Sequence, residues 1–425
     1  MNVLLEQMLR SLRLINFKSF EDAELSIGGL TVIVGVNASG KSNIRDALRF
    51  LHGVGRGYSL ADIIGGKYGE GGYREWSPLR GATKEIIRFG QNSFKLAVNV
   101  ETHAAERLVY EIEVSRDTSR GTFGILSERL TTPDQSWKAP IFDKIDKSED
   151  QDELDFRLRA PEGSRGQGKR QRLRRDRPAL TQLQHKTGVP SLHRKIIENL
   201  VAVLSDIRFL DLAPDAMRQP SFPGQTVLGE GGENLPTVLQ ETCTSEERKN
   251  TLIAWISELT PLEVVDFEFD SDSTGRILMF IVDTDGNRTS ALSASDGTLR
   301  FLAMAVTLMG VRATGLLFFE EIDNGLHPSR MRLLTELIER QVEITKVQVV
   351  TTTHSPDLLT IVGDKTFQST SVVYRSPQST TSIIRLVPSL PHAVKLRLEQ
   401  SLGRLHVSGW FEDALFFGEA SEAAE

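Results

Sequence analysis

The stretch GVNASGKSN, residues 35–43, directly follows the apolar run of residues 30–34. A glycine, four further residues and then Gly-Lys-Ser is the spacing of a phosphate-binding loop. The apolar positions between residues 44 and 51 recur at helical spacing, which predicts a helix that begins near Lys41. A strand, a glycine-containing loop and a helix in this order are the setting that such a loop needs. The stretch therefore predicts an α/β fold that binds a nucleoside triphosphate.

The residue types of this loop match the chemistry of triphosphate binding. Gly35 and Gly40 allow the backbone to approach the phosphates, and the helix presents its positive end to them. Lys41 can reach the β- and γ-phosphates, and the Ser42 hydroxyl can ligate Mg²⁺. The residues predicted to surround the nucleotide are Gly35, Val36, Asn37, Ala38, Ser39, Gly40, Lys41, Ser42 and Asn43.

Length and composition set limits on the rest of the chain. The 425 residues are enough for two or three domains, or for one large domain with insertions. The net charge of -7 argues against a protein that coats nucleic acid with its whole surface, but it allows a local basic patch. The single cysteine, Cys243, excludes an intrachain disulfide and a cysteine-based zinc site.

The location of the protein can also be predicted. The N-terminus does not resemble a signal peptide, because Glu6 and Arg10 interrupt its apolar stretch. The longest apolar run, Phe301 to Val311, has about half the length that a membrane span requires. We therefore expect a cytoplasmic protein with no membrane partner.

Two carboxylates follow a second apolar strand, predicted at residues 316–319. If this strand is parallel to the strand before the phosphate-binding loop, its carboxyl end comes to the Mg²⁺. We assign Glu320 to the metal and Glu321 to the general base that orients the attacking water. The alternative interpretation is a solvated acidic strand end.

A third strand, predicted at residues 347–351, leads to His354. Ser355 is a candidate N-cap and Pro356 a candidate first helical residue, so His354 would be held at the tip of a strand. We predict that His354 faces the same crevice as the acidic pair. A purely structural histidine is the alternative.

The remaining segments carry weaker signals. Residues 95–130 alternate like an antiparallel sheet, and a second β patch is predicted at 264–282. The basic stretch RGQGKRQRLRRDR, residues 165–177, predicts a mobile loop or an exposed helix end. It could contact the phosphates of DNA or RNA, or it could simply be solvated. A terminal helix is predicted near 391–403.

Four motifs, in this order, resemble those of ABC-type ATPases of the RecF/SMC/OLD group. The overall pattern is most similar to compact stand-alone prokaryotic members of that group, which are often called AAA or AAA-like ATPases. The resemblance covers residues 9–55 and 285–360, and the middle only loosely through RFLDLAPDAMRQPS and LGEGGENLPTVL. The motifs are GVNASGKSN (35–43), SASDGTL (293–299), EEIDNGLHP (320–328) and TTTHSP (351–356).

The resemblance implies a mechanism in which two ATPase heads enclose ATP and Mg²⁺. In such a dimer, Ser295 and Gly297 correspond to the signature residues that contact the γ-phosphate from the second head. Glu321 corresponds to the catalytic glutamate and His354 to the switch histidine. Together with Lys41, these are the predicted catalytic residues. Residues 324–327 correspond to the loop that crosses the dimer interface.

Three positions depart from the wider ABC-type pattern. Glu320 stands where aspartate is usual, and Ala38 replaces a glycine of the loop. His327 stands where transporter heads carry aspartate, although the RecF-like branch commonly has histidine there. These differences affect the expected turnover rate more than ATP binding. The glutamine that senses the metal in such ATPases has two candidates here, Gln91 and Gln219.

The predicted fold is a P-loop NTPase of the ABC-type head class, with a mixed central sheet, an antiparallel β lobe and an inserted helical lobe. We expect the two parts of the head at residues 1–130 and 261–390, an inserted charged and helical lobe at 131–260, and a C-terminal helix and tail at 391–425. No long coiled coil is predicted, and the segment after His354 is too short for a nuclease domain.

The predicted function is that of an ATPase that forms a homodimer or larger homo-oligomer around ATP. It would couple this step to DNA or to a separate effector protein, such as a nuclease or toxin, in DNA repair or anti-phage defence. The alternative is a scaffold without turnover, which holds ATP in order to oligomerise and to position or sequester an effector.

Overall fold

The computed structural model describes residues 8–102, 107–117, 120–133, 137, 139–145, 152–160, 168–259, 263–310, 315–375 and 381–415. The strands are β1 (Met8–Phe17), β2 (Phe20–Ser26), β3 (Leu30–Val34), β4 (Lys67–Tyr68), β5 (Arg74–Trp76), β6 (Ser93–Glu101), β7 (Arg107–Asp117), β8 (Thr122–Thr131), β9 (Phe142–Lys144), β10 (Glu153–Leu158), β11 (Lys169–Arg174), β12 (Ile207–Leu210), β13 (Val264–Ser271), β14 (Ile277–Asp283), β15 (Arg288–Ser290), β16 (Leu316–Phe319), β17 (Gln348–Thr353), β18 (Ser371–Arg375) and β19 (Ser382–Leu386).

The α-helices are α1 (Lys41–Gly55), α2 (Leu60–Gly65), α3 (Ala82–Glu85), α4 (Ala179–His185), α5 (Ser191–Ser205), α6 (Pro214–Met217), α7 (Leu235–Cys243), α8 (Glu246–Leu259), α9 (Asp296–Met309), α10 (Pro328–Thr345), α11 (Pro356–Ile361), α12 (Asp364–Phe367), α13 (Ala393–Glu399) and α14 (Leu402–Val407). A 3₁₀ turn covers Val387–Ser389.

The chain divides into two compact units. Unit 1 consists of residues 1–28, 33–207 and 371–386, and unit 2 consists of residues 29–32, 208–370 and 387–425. The residues of strand β3 are divided between the two units: the first three belong to unit 2 and the last two to unit 1. The domain boundaries predicted from sequence stay predictions.

Unit 1 is built on a mixed sheet. Its strands follow the order β11-β10-β9-β8-β7-β6-β1-β2-β19-β18, and the end of β3 continues the order in parallel with β18. The antiparallel pairing of β6, β7 and β8 confirms the sheet predicted at residues 95–130. Every second residue of β6 is buried, because one face of this sheet covers the core.

A buried carboxylate joins this sheet to the following helices of unit 1. Glu128 of β8 accepts hydrogen bonds from the Tyr110 hydroxyl (2.9 Å) and from the backbone N–H groups of Ala179 and Leu180 (both 2.7 Å). It thereby caps the N-terminus of α4 from a distant strand. Burial away from water raises the pKa of Glu128 from 4.5 to about 7, against the lowering effect of the three donors.

Unit 2 contains a second run of strands in the order β3-β17-β16-β12, in which β16 and β17 are parallel. A separate antiparallel sheet, β13-β14-β15, confirms the second β patch. Helix α9 is almost entirely buried because its apolar residues occur on all faces. Parallel and antiparallel pairs thus occur together, which confirms the predicted mixed α/β class.

The structure corrects two predictions. Residues 169–174 of the basic stretch form β11, paired antiparallel with β10, and are neither a mobile loop nor a helix end. The pairing satisfies the backbone of this strand although only Leu173 is buried. Residues 165–167 lie outside the described part. The helix predicted near 391–403 is two short helices, α13 and α14, because Ser401 caps a new helix.

None of the helices among the described residues is long and apolar enough to cross a membrane.

Candidate functional site

The phosphate-binding loop lies in unit 1, between the end of β3 and the start of α1. The structure confirms the predicted strand, loop and helix, including the helix start at Lys41. Gly35 is buried against β18, so that a Cβ atom there would lie 2.2 Å from the Val373 carbonyl oxygen and 2.8 Å from Ser39 Oγ. Glycine is therefore required at this position by the packing of the neighbouring strand.

Two further loop residues adopt left-handed backbone conformations. Gly40 has a φ of 116°, and a Cβ atom there would lie 2.7 Å from Ser382 Oγ. Ala38 has a φ of 62°, a conformation that costs an L-residue with a Cβ atom about 1–2 kcal/mol. The replacement of a glycine by Ala38, noted from the sequence, thus occurs at a position where glycine is the unstrained residue.

Polar contacts hold the start of α1 and the loop together. The Lys41 ammonium group donates to the carbonyl oxygens of Gly35 and Val36, the latter at 2.9 Å. Asn43 Nδ2 donates to Ser19 Oγ at 2.7 Å, and Ser382 Oγ also donates to Ser19 Oγ, at 2.8 Å. Lys41 is buried and is the first residue of α1, so its positive charge lies at the N-terminus of this helix. This arrangement is suited to an anionic ligand.

The acidic strand end lies in unit 2. β16 ends at Phe319 and is followed by Glu320 and Glu321, as predicted, and the structure shows that these two residues lie in a turn. The Glu320 N–H donates to the Leu210 carbonyl oxygen at 3.2 Å, which ties the turn to β12. Glu321 has a positive φ of 49°, which is a strained conformation for a residue with a side chain.

His354 lies next to this turn. It directly follows β17, and Ser355 caps α11 by accepting a hydrogen bond from the Asp357 N–H at 3.2 Å. The predicted strand tip, N-cap and Pro356 helix start are therefore confirmed. The Nδ1 atom of His354 lies 3.8 Å from Glu321 Oε1, and both side chains are partly open to solvent. Two predicted catalytic residues are thus neighbours within one unit.

The predicted signature residues lie at the start of α9, also in unit 2. Ser295 is the N-cap and its Oγ accepts from the Thr298 N–H at 3.2 Å. Gly297 is buried against the loop of residues 324–327, and a Cβ atom there would lie 3.1 Å from the Gly325 carbonyl oxygen. The structure thus brings the signature helix and this loop into contact.

Several residues that hold these motifs have no role that the sequence pattern predicts. Arg218 donates to Asp296 Oδ1 at 2.5 Å and to the Ala294 carbonyl oxygen at 3.1 Å, so it fixes the signature segment from both sides. Arg218 belongs to the stretch RFLDLAPDAMRQPS, whose loose resemblance was the available signal. Asp323 and the threonines before His354 lie inside recognised motifs but were likewise given no role.

The predicted metal ligands are oxygen donors of the kind that Mg²⁺ prefers. Ser42 offers a hydroxyl at the second position of α1, and Glu320 offers a partly exposed carboxylate. These two residues belong to different units, as do Lys41 and Glu321. Within the described ranges, no three histidine, cysteine or acidic residues come together as a further metal site.

The two candidates for the metal-sensing glutamine are both exposed. Gln91 lies in a turn before β6, and its N–H donates to the Arg88 carbonyl oxygen at 3.0 Å. Gln219 follows α6, and its Nε2 donates to the Asp215 carbonyl oxygen at 3.4 Å. Neither contact selects one candidate, so both stay predictions.

Comparison with known proteins gives one family. The pattern of the family described as "AAA domain, putative AbiEii toxin, Type IV TA system" matches residues 30–360, from β3 to α11. No curated protein matches the sequence.

Similar solved structures are distant. One is an SMC head bound to the C-winged helix domain of ScpA, with 14% identity, a TM-score of 0.44 and coverage of 89% of this chain and 97% of that chain. Another is the SMC head domain from Thermotoga maritima, with 15% identity, a TM-score of 0.40 and coverage of 89% and 98%. A third is an SMC head with an extended coiled coil, bound to a C-terminal domain of ScpA derived from Pyrococcus furiosus, with 13% identity, a TM-score of 0.42 and coverage of 89% and 96%. Because the TM-scores and sequence identities are this low, the similarity to these three structures gives no information about function.

Proposed function

The chain belongs to this AAA-domain family, and on that premise we propose that it binds ATP with Mg²⁺ and hydrolyses the ATP. The phosphate-binding loop is the observation that carries the proposal. Gly35 and Gly40 have no room for a side chain, and Lys41 is held at the N-terminus of a helix of 15 residues. This combination of donors and positive charge is suited to the phosphates of a nucleotide.

Hydrolysis requires a base, a metal and a group that responds to the γ-phosphate. Glu321 is the proposed general base, and its neighbour His354 is proposed to contact the attacking water or the γ-phosphate. Ser42 and Glu320 are the proposed ligands of Mg²⁺, which would polarise the phosphate oxygens when bound. In this assignment Lys41 stabilises the negative charge that develops during transfer.

Dimerisation around ATP is proposed from the surfaces beside two motifs. Val36, in the phosphate-binding loop, is 57% exposed, and Leu292, three residues before Ser295, is 64% exposed. Each motif therefore has an apolar side chain in water next to its polar groups. A second copy that brought Ser295 and Gly297 to the nucleotide would cover such residues, which favours association.

The partner of the ATPase cycle is proposed to be DNA or a separate effector protein, in DNA repair or anti-phage defence. β11 gives limited support to DNA, because Arg172 pairs with Glu153 and Arg174 with Asp176. These ion pairs neutralise part of the positive charge that a phosphate backbone would need. An effector protein is therefore the partner that we favour.

A direct test uses purified protein with ATP and Mg²⁺. We expect ATP binding by calorimetry and phosphate release in a steady-state assay. Lys41→Ala should abolish binding, whereas Glu321→Gln should retain ATP, slow hydrolysis to a small but measurable residual rate and increase the dimer fraction in light scattering. Phosphate release by Glu321→Gln at the wild-type rate would refute the assignment of the base.

A scaffold without turnover is the second candidate, and Glu320 is the observation that favours it. The extra methylene relative to aspartate changes the reach of the carboxylate toward a metal that demands near-ideal geometry. Tight ATP binding and stable oligomers without phosphate release, alone and with DNA, would support this candidate. Glu320→Asp would then be expected to create measurable turnover.

A further inference from the structure

Three consecutive buried threonines of β17 each bond to a different residue at or after the end of β16. Thr351 Oγ1 donates to the Phe319 carbonyl oxygen at 3.1 Å. Thr352 Oγ1 accepts from the Glu321 N–H at 3.0 Å. Thr353 Oγ1 donates to Asp323 Oδ2 at 2.7 Å. The three hydroxyls thus bond to the last residue of β16, Phe319, and to two residues of the turn that follows it, Glu321 and Asp323.

The middle hydroxyl acts on the strained residue of the turn. Glu321 has a φ of 49°, and such a conformation persists only where the surroundings determine it. The Thr352 hydroxyl accepts the N–H of Glu321 itself and is buried. Removal of this acceptor would leave the N–H without its partner and release the turn toward an unstrained backbone.

The last hydroxyl acts on both sides of His354. Thr353 Oγ1 donates to Asp323 and also accepts from the Ser355 N–H at 2.9 Å. Thr353 and Asp323 are both buried, so this link is sheltered from water. The Thr353 hydroxyl therefore connects Asp323, in the turn after Glu321, to Ser355 at the start of α11. His354 lies in the chain between Thr353 and Ser355, which this hydroxyl joins.

Valine would fill the same space at each of these positions. A buried strand favours β-branched apolar side chains, and valine differs from threonine only in a methyl group for the hydroxyl. The hydroxyls are consequently not needed to fill the core. Their contribution is the set of bonds that fixes the backbone of Glu321 and His354.

We propose that Thr352, Thr353 and Asp323 are positioning residues that hold the Glu321 carboxylate 3.8 Å from the His354 imidazole for ATP hydrolysis. This inference rests on the proposed function, in which Glu321 is the base. The three residues act through Glu321 and His354 and do not themselves contact the nucleotide. Small displacements of a base from its attack position are costly, up to about a hundredfold in rate for 1 Å.

The test compares single variants in a steady-state ATPase assay with ATP and Mg²⁺. Thr352→Val and Thr353→Val should each lower kcat about ten- to a hundredfold and leave the Kd for ATP within about twofold. Thr352→Ser keeps the hydroxyl and should restore most of the rate. The matched control is Thr335→Val in α10, which removes a buried hydroxyl bonded at 2.9 Å to the Met331 carbonyl oxygen, within its own helix.

A double variant separates positioning from general destabilisation. If Thr352 acts through Glu321, adding Thr352→Val to Glu321→Gln should cause no further loss of rate. An equal loss of kcat in Thr335→Val and Thr352→Val would refute the inference, as would an unchanged kcat in both Thr352→Val and Thr353→Val. Different results would refute the proposed function itself: no phosphate release by the wild-type protein, or a Glu321→Gln variant as active as wild type.

Discussion

His354 Nδ1 lies 3.8 Å from Glu321 Oε1, and the two residues follow neighbouring parallel strands, β17 and β16. The distance exceeds that of a hydrogen bond, so the pair is adjacent without being locked together. Both side chains keep solvent access, with exposed fractions of 55% and 37%. A water molecule or a phosphate oxygen could therefore reach both groups at once.

We expect the two residues to act as one catalytic unit. His354→Ala should lower kcat for ATP hydrolysis about a hundredfold while the Kd for ATP changes little, because the phosphate-binding loop is untouched. In the double variant with Glu321→Gln, the rate should not fall below that of Glu321→Gln alone. Losses that multiply in the double variant would show that the two residues act independently.

ATP-dependent dimerisation is expected to depend on Leu292. Leu292→Asp places a charge beside the signature segment, so a dimer that covers this residue would have to bury an unpaired carboxylate. We expect the dimer Kd to rise at least about tenfold in light scattering, measured in the Glu321→Gln background with ATP and Mg²⁺.

Leu398→Asp provides the matched control for this experiment. Leu398 is also an exposed leucine of unit 2, with an exposed fraction of 86%, but it lies in α13 and outside the predicted motifs. Its replacement should leave the dimer unchanged. Equal weakening by both substitutions, or by neither, would argue against an interface at Leu292.

Local patterns were sufficient to predict the elements that carry the motifs. The loop between β3 and α1, the cap Ser355 and the strand before His354 depend on neighbours within a few residues, and the structure has all of them. The residue of the loop that bears strain, Ala38, was also noted from its sequence alone. Such features are set by φ preferences and capping, which act over short distances in the chain.

Features that depend on distant partners were not predictable in this way. The composition of β11 predicts a mobile loop or an exposed helix end, because the strand that pairs with it, β10, lies outside the basic stretch. In the backbone register Glu153 of β10 stands opposite Arg174, and Asp155 stands opposite Arg172. Likewise, Arg218 meets Asp296 across 78 positions of the sequence. The composition of a segment does not reveal which charges the fold will place opposite it.

The strain at Ala38 leads to a prediction about stability. Ala38→Gly should raise the free energy of unfolding by about 0.5–1 kcal/mol, because glycine adopts a φ of 62° without a steric penalty. Ala47→Gly, in the interior of α1, should instead lower it by at least about 1 kcal/mol. Urea unfolding of both variants measures the difference, and a destabilising effect of Ala38→Gly would contradict the assigned strain.

Glu128 should make stability depend on pH. Burial raises its pKa from 4.5 to about 7, so the folded protein holds this proton more tightly than the unfolded chain. The resulting stabilisation is fully present below pH 4.5 and is lost as the pH rises through about 7. The shift corresponds to roughly 3 kcal/mol, since one pKa unit is equivalent to about 1.4 kcal/mol.

Glu128→Gln removes this titration and provides the reference. Gln also places an amide nitrogen among the donors Tyr110, Ala179 and Leu180, which should destabilise the variant by about 1–3 kcal/mol at every pH. The free energy of unfolding of wild type minus that of the variant should therefore fall by roughly 3 kcal/mol between pH 4.5 and 8. Urea unfolding at several pH values in this range measures the difference. A constant difference would show that the carboxyl of Glu128 titrates alike in the folded and unfolded protein.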